Sequence, residues 1–395
     1  MTPGPLPITP DPLPLTQSPR LSSLDALRGL TLFFLVGLGP VVTTFCEGVP
    51  DAASNGFITT LARLFSHEEW EGLMPWDMLM PLFMFMSCAS IPFSMARFRR
   101  EHDYGAYARR LTRRVILLWL IGMLVQGSVR DLNPDHIYLY TNTLQSIAVA
   151  YTVASLLFMF GRVRTQIITF VLLLLAYWGA MEFISVAGFG GGQYGPDTNL
   201  AEWIDRTVLG RFRDGATPLP DGGVQFLPGY TYTWLLSSLT FAATGLAGLL
   251  CGSICKSASL SPRLKARRLL YIGLALFAAG MLWSLEMPII KHIWTSSMCL
   301  VAAGVSFLLM ALLFWFYDVR SHTFGLDFLR TYGLNSIMAY IFEEMLNFKS
   351  IPHSLFYGLE QYIGGFYPCV LALGQAVVIY LILLAMKRLG IFIRL

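Results

Sequence analysis

Ten apolar runs, at residues 26–45, 76–96, 111–129, 144–160, 166–187, 234–255, 269–285, 294–316, 328–346 and 367–386, restrict this chain more than any other feature. A helical membrane span takes about 20 mainly apolar residues, and only helices or closed barrels satisfy their backbone polar groups in lipid. Runs this long are not strands. The expected fold is an all-α, polytopic integral membrane helical bundle of about ten transmembrane helices. Composition points the same way: 55% of the residues are hydrophobic and 13% charged, where soluble domains carry roughly 25% charged residues. The net charge of +4 gives no support for a nucleic-acid partner.

Lysine and arginine set the orientation. If the spans alternate from a cytoplasmic N-terminus, twenty-one of the 28 basic residues fall on the cytoplasmic side and seven on the other. By the positive-inside rule both termini are expected in the cytoplasm. Residues 1–20, rich in proline, are expected as a disordered tail, and 21–395 as a single transmembrane domain. The tail has no basic n-region, so no cleavable signal is read there. The six cysteines lie mostly inside apolar runs with no CxxC pair, which marks them as packing residues and not as a metal site. Two outer loops, 46–75 and 188–233, combine acids with aromatics, a mixture typical of a site.

The stretch SHEEWEGLMPWDMLMPLFMFM sets His67 just before the second span. Histidine titrates near neutrality and serves as a base or a nucleophile. Pro75 suits the first turn of a helix, and Asp77 follows where free amides and the helix dipole favour a carboxylate. Two readings of that pair stand side by side: Asp77 orients His67 or holds a cationic acceptor, or it is a capping acid beside an interfacial histidine. Polar residues within spans are costly in lipid and normally face a cavity or one another. Asn142 and Gln145 open the fourth span, and Lys291, His292, Trp294, Thr295, Ser296 and Ser297 open the eighth. Asn335, Glu343 and Glu344 lie in the ninth and Gln375 in the tenth. For Asn335, Gln145 and Gln375 an interhelical hydrogen bond is the competing reading. Asp25 and Arg28, three residues apart in LSSLDALRG, read as a structural pair. The seven arginines of 97–114 read as a topology anchor touching anionic membrane lipid or, more sharply, as a phosphate site. No metal or nucleotide motif is present, and these residues by themselves leave enzyme and transporter level.

The ordered motifs SLDALRG, HEEWEGLMPWDMLMPLFMFM, TLQSIAVAY, WIDRTVLGRF, PIIKHIWTSS and YGLNSIMAY cover most of the chain. Together they resemble the transmembrane acyltransferase family typified by heparan-alpha-glucosaminide N-acetyltransferase, particularly its bacterial relatives. The resemblance implies transfer of an acetyl group from cytosolic acetyl-CoA to the amine of a terminal glucosamine or related amino sugar on the periplasmic side. The setting it implies is a bacterial inner membrane. His67, Trp70, Gly72 and Asp77 match the family's active-site motif, with His67 and Asp77 as the catalytic candidates. Trp70, Lys291, Trp294, Asn335 and Glu343 are expected to line the acceptor pocket. From position alone, Arg109, Arg110, Arg113 and Arg114 are expected to contact the phosphates of coenzyme A. No metal is expected, and analogy extends to a homodimer. The expected partner is an amino-sugar or oligosaccharide acceptor, and the alternative function is a secondary transporter of an amino sugar. Two departures put acceptor recognition in question: Gly39 stands where relatives often have asparagine, and FLPGYTYTW stands where they have a DPEG-like stretch.

Overall fold

A computed structural model describes residues 21–127, 129–227 and 232–393, apart from the side chain of Asp135. The proline-rich segment 1–20 lies outside the described residues. Eight helices are long and apolar enough to cross a membrane. They are α1 (Ser22–Gly48), α2 (Pro75–Glu101), α4 (Thr143–Phe160), α5 (Val163–Phe183), α7 (Ser238–Lys256), α8 (Pro262–Trp283), α9 (Ser296–Val319) and α12 (Glu360–Arg388). The molecule is an all-α multi-pass membrane bundle.

The remaining two of the ten expected spans differ for physical reasons. The third run belongs to α3 (Tyr104–Gln126), whose 23 residues are long enough to cross. Its first turns carry Arg109, Arg110, Arg113 and Arg114, so its apolar part is short. The ninth run is broken at Asn335 into α10 (Leu326–Leu334) and α11 (Ser336–Met345). The backbone of Asn335, at φ −121° and ψ 46°, is not helical. Its side chain replaces the lost continuity by tying down the C-terminal segment: Nδ2 donates to the Ile391 carbonyl (3.1 Å) and Oδ1 accepts from the Ile393 amide (3.0 Å).

Cross-links between helix ends separate two faces of the bundle. On one face Arg99 donates to the Gly161 carbonyl, Lys256 to the Pro92 carbonyl, and the Ser22 and Ser23 amides to Asp318. On the other face Trp70 meets Tyr194, and Lys291 meets Asp77. The first face holds the basic helix ends, the side that the positive-inside rule expects to face the cytoplasm. The opposite face carries the acid-and-aromatic loops, including α6 (Leu200–Leu209) and the small hairpin that pairs Ala216 with Phe226.

Helices α2 and α7 form the centre and are the most buried of the spanning helices, whereas α8 is the most peripheral. Small residues allow this contact. A Cβ on Gly248 would lie 2.1 Å from the Phe85 carbonyl oxygen, and one on Gly252 would lie 2.1 Å from that of Ala89. This is a small-xxx-small contact, in which backbones approach closely because no side chain intervenes. Gly248→Val is expected to push α2 off α7 and to lower stability by about 3 kcal/mol. Thermal unfolding of the purified protein in detergent checks it: an unchanged midpoint would mean that the helices can separate at no cost.

Candidate functional site

The outer end of α2 begins as a tight 3₁₀ turn, Pro75–Met78, and delivers Asp77 into the interior, 1% exposed. Its two carboxylate oxygens have different duties. Oδ2 accepts from the backbone amides of Met74 (2.9 Å) and Glu68 (3.2 Å), which is the capping role. Oδ1 faces His67 Nδ1 at 2.6 Å and Lys291 Nζ at 3.0 Å. The two sequence readings of Asp77, helix cap and partner of His67, therefore describe opposite edges of one carboxylate.

His67 and Lys291 come from segments more than two hundred residues apart that are joined by backbone pairing. The Gly72 amide donates to the Ile289 carbonyl at 2.8 Å, and Glu71 bridges to Ile290. Gly72 has φ +122°, a conformation that side chains rarely tolerate, so glycine is needed for the chain to turn into this pairing. Thr295 closes the second segment: its hydroxyl donates to the Pro288 carbonyl and accepts from the Ile290 amide. Trp294, at φ +51°, turns its ring wholly into the bundle and donates Nε1–H to Thr244 Oγ1 at 3.1 Å.

Bonding assigns the imidazole tautomer. The side chain of His67 is 48% exposed, while those of Asp77 and Lys291 are 1% and 6% exposed. An unprotonated Nδ1 set 2.6 Å from a carboxylate oxygen would oppose two lone pairs. Nδ1 therefore carries the hydrogen and donates it to Asp77, and the Nε2 lone pair is left for a ligand. Lys291 Nζ, 3.0 Å from that same Nδ1, donates to Asp77 and supplies the counter-charge that a buried carboxylate requires. The result is an accessible nitrogen base seated on a buried ion pair.

An aromatic wall adjoins this group. Trp70 stacks on His292 with the ring planes 1° apart and centroids 5.3 Å apart, and its Nε1 donates to the Tyr194 carbonyl. Tyr232 lies 4.8 Å from His292 and 5.6 Å from Lys291 Nζ. Burial, then the charge of Lys291, lower the His292 imidazole to about 4 from an ordinary 6.5. In the unfolded chain His292 takes up a proton as pH falls through 6.5, and in the folded protein it does so only near 4. Its contribution to stability is therefore complete above pH 6.5 and is lost as pH falls toward 4. In unfolding scans from pH 7 to 4, wild type is expected to lose up to about 3 kcal/mol more than His292→Phe; equal losses would contradict this assignment.

The loop 188–233 supports the wall through residues that the sequence marked only as acidic. Asp205 on α6 accepts from the amides of Trp234 (2.6 Å) and Leu235 (3.0 Å). Glu202 pairs with both Arg206 and the fully buried Arg213. The sequence places Glu202 and Asp205 in an acid-and-aromatic loop typical of a site, and their individual partners are visible only in the fold. Of the FLPGYTYTW stretch, residues 228–231 lie outside the described residues.

On the basic face a second feature opens, a cavity of about 380 Å³. Arg28, Arg110 and Arg114 line it together with Asp25, Ser87 and Ser90. Arg114 donates to Ser87 Oγ at 2.9 Å and lies over the Tyr151 ring at 3.9 Å. Of the four arginines expected to act together, Arg110 and Arg114 share this lining, one helical turn apart. Arg109 and Arg113 are exposed on the neighbouring stripe of α3 and do not line it. Arg28, read from sequence as structural, joins the lining in their place. Phe83 of α2 also lines the cavity, six residues and so about 9 Å along the helix from Asp77.

Glu343 and Asn335 are not brought to His67. Glu343 accepts from Gln375 at 2.7 Å between α11 and α12, and Asn335 holds the C-terminal segment. All six cysteines are free thiols, and among the described residues no group of three His, Cys, Asp or Glu side chains is placed to hold a metal. Gly39 packs under Trp76, where a Cβ would lie 2.0 Å from the ring. No family model matches the chain, and no curated protein matches it.

Proposed function

We propose that this protein is a membrane acyltransferase of a bacterial inner membrane. In this reading it moves an acetyl group from cytosolic acetyl-CoA to the amine of a terminal glucosamine or related amino sugar on the periplasmic side. The observation that carries the proposal is the pairing of His67, exposed on a buried Asp77–Lys291 pair at one face, with an arginine-lined cavity opening from the other. Arginine binds phosphate through two parallel hydrogen bonds, and Arg28, Arg110 and Arg114 suit a donor that bears several phosphates. A charge at the bilayer centre costs at least about 2.5 kcal/mol, so the phosphates stay at the basic face and only the acyl end advances.

In the transfer the acceptor nitrogen attacks the thioester carbonyl carbon, the new C–N bond forms and the C–S bond breaks. His67 Nε2 takes the proton released by the amine, and the departing sulfur leaves as the coenzyme thiol after protonation. Asp77 keeps Nδ1–H in place as the ring becomes cationic. The same nitrogen also suits a two-step route through an acetylated His67. Brief incubation with labelled acetyl-CoA and no acceptor separates the routes, because only the second leaves label on His67. Trp70, with His292 and Tyr232, offers the aromatic surface on which a sugar ring stacks.

Proteoliposomes loaded with acetyl-CoA and supplied with external glucosamine test the proposal. Acetylated glucosamine appearing outside supports it, and sugar accumulating inside without acetyl-CoA would replace it by secondary transport. One observation favours that second reading: the break at Asn335 interrupts a membrane helix beside the cavity, as in many transporters.

A further inference from the structure

At the outer end of the cavity on the basic face, Tyr340 of α11 and Thr143 and Leu144 at the start of α4 contribute to the lining. That end lies against the last turns of α3, where Asn142 meets Gln126, sixteen residues and about 24 Å along the helix from Arg110. Its other lining residues include Phe83, Leu118 and Ile147, which are apolar. Thr143 and Tyr340 bring hydroxyls to that end, and Tyr340 is the one that a buried amide contacts.

Hydrogen-bond accounting fixes what that group offers. Asn142 is the N-cap of α4, and its Oδ1 accepts from the Leu144 amide at 2.7 Å. An amide that accepts with its oxygen there must direct its nitrogen away, and Nδ2 donates to Gln126 Oε1 (2.9 Å) and to the Tyr340 hydroxyl oxygen (3.3 Å). An amide NH₂ donates only, so Tyr340 oxygen is the acceptor and its own hydrogen is left to donate elsewhere. Among the described residues no acceptor receives that hydrogen. Asn142 is wholly buried and has its full set of partners, so it cannot rotate to take it.

We infer that the Tyr340 hydroxyl, presented by Asn142, is the hydrogen-bond donor that binds the acyl carbonyl oxygen of the thioester donor at the deep end of the cavity. The inference rests on the acetyl-CoA reading above and adds a residue that recognises the acyl group itself. The arginines hold the anionic end, and the carbonyl, the polar atom next to a small apolar acyl chain, meets a hydroxyl whose hydrogen Asn142 leaves free to donate. As the carbonyl oxygen gains negative charge during attack, the same donor strengthens its bond to it.

Equilibrium binding of acetyl-CoA and of coenzyme A to the purified full chain, in wild type and two variants, tests this. Coenzyme A has the same phosphates and arm and lacks the acyl carbonyl. Wild type is expected to prefer acetyl-CoA, and Tyr340→Phe to lose about tenfold of that preference while its coenzyme A affinity holds. Asn142→Asp keeps the cap but turns an oxygen toward Tyr340, drawing the hydroxyl hydrogen out of the cavity, and is expected to lose the preference with Tyr340 intact. An unchanged preference in both variants overturns the inference while leaving the donor site standing. Wild type that binds neither compound overturns the donor reading and this inference with it. Because the readout is a ratio within each variant, reduced folding yield does not imitate it.

Discussion

His67→Ala is expected to lower acetyl transfer to glucosamine by about 10²–10⁴-fold, the range over which a positioned acid–base group contributes. Stability should hardly change, because the ring is half exposed and the ion pair beneath it survives its removal. Turnover in proteoliposomes and thermal unfolding of the same preparation give the two numbers. The physical basis is the division of labour between the imidazole nitrogens. Nδ1 is committed to Asp77 at 2.6 Å, so all of the chemistry falls to Nε2, which has no substitute in the cluster. Lys291 does not replace it: its ammonium is 6% exposed and pinned to the carboxylate. Transfer that continues at the wild-type rate in His67→Ala would remove the imidazole from the mechanism.

Asp77→Asn is expected to damage both fold and activity. The substitution leaves the Lys291 ammonium buried without its counter-charge, and breaking a buried pair from one side costs about 3–5 kcal/mol. It also offers an amide to His67 Nδ1, which permits the tautomer that points a hydrogen at the acceptor from Nε2. The double variant Asp77→Asn/Lys291→Met removes the stranded charge and should recover much of the lost stability but none of the activity. Unfolding midpoints for the single and double variants, together with turnover, separate the two effects. If the double variant is as unstable as the single one, the pair does not carry the assigned energetic role.

How much of this arrangement was legible beforehand varied with the range of the interaction. His67 and Asp77 lie ten residues apart, and Pro75 signals the turn that brings them together. Arg110 and Arg114 are one helical turn apart, but nothing in the basic run distinguishes them from Arg109 and Arg113. Only the packing of α3 against α2 and α4 selects which stripe faces the cavity. Asp25 and Arg28 read as a local pair because spacing reports neighbours on one helix and is blind to what the next helix leaves empty. In the sequence Asn335 and Glu343 look like site residues because polar residues in apolar runs all carry the same signal. Asn335 instead bonds the C-terminal segment and Glu343 bonds Gln375.

By itself the chain's order of residues determined the solvent it folds in, the helical architecture and the sidedness of its charges. Those follow from additive properties, apolar length against bilayer thickness and the count of basic groups at each end. Tertiary structure alone decided that Lys291 meets Asp77 across 214 positions, that Asp205 anchors the Trp234 backbone just before α7, and that Tyr340 keeps a hydrogen to give. Each of these depends on which helix faces turn toward one another, and close approach of glycine-bearing backbones, not local propensity, sets that rotation.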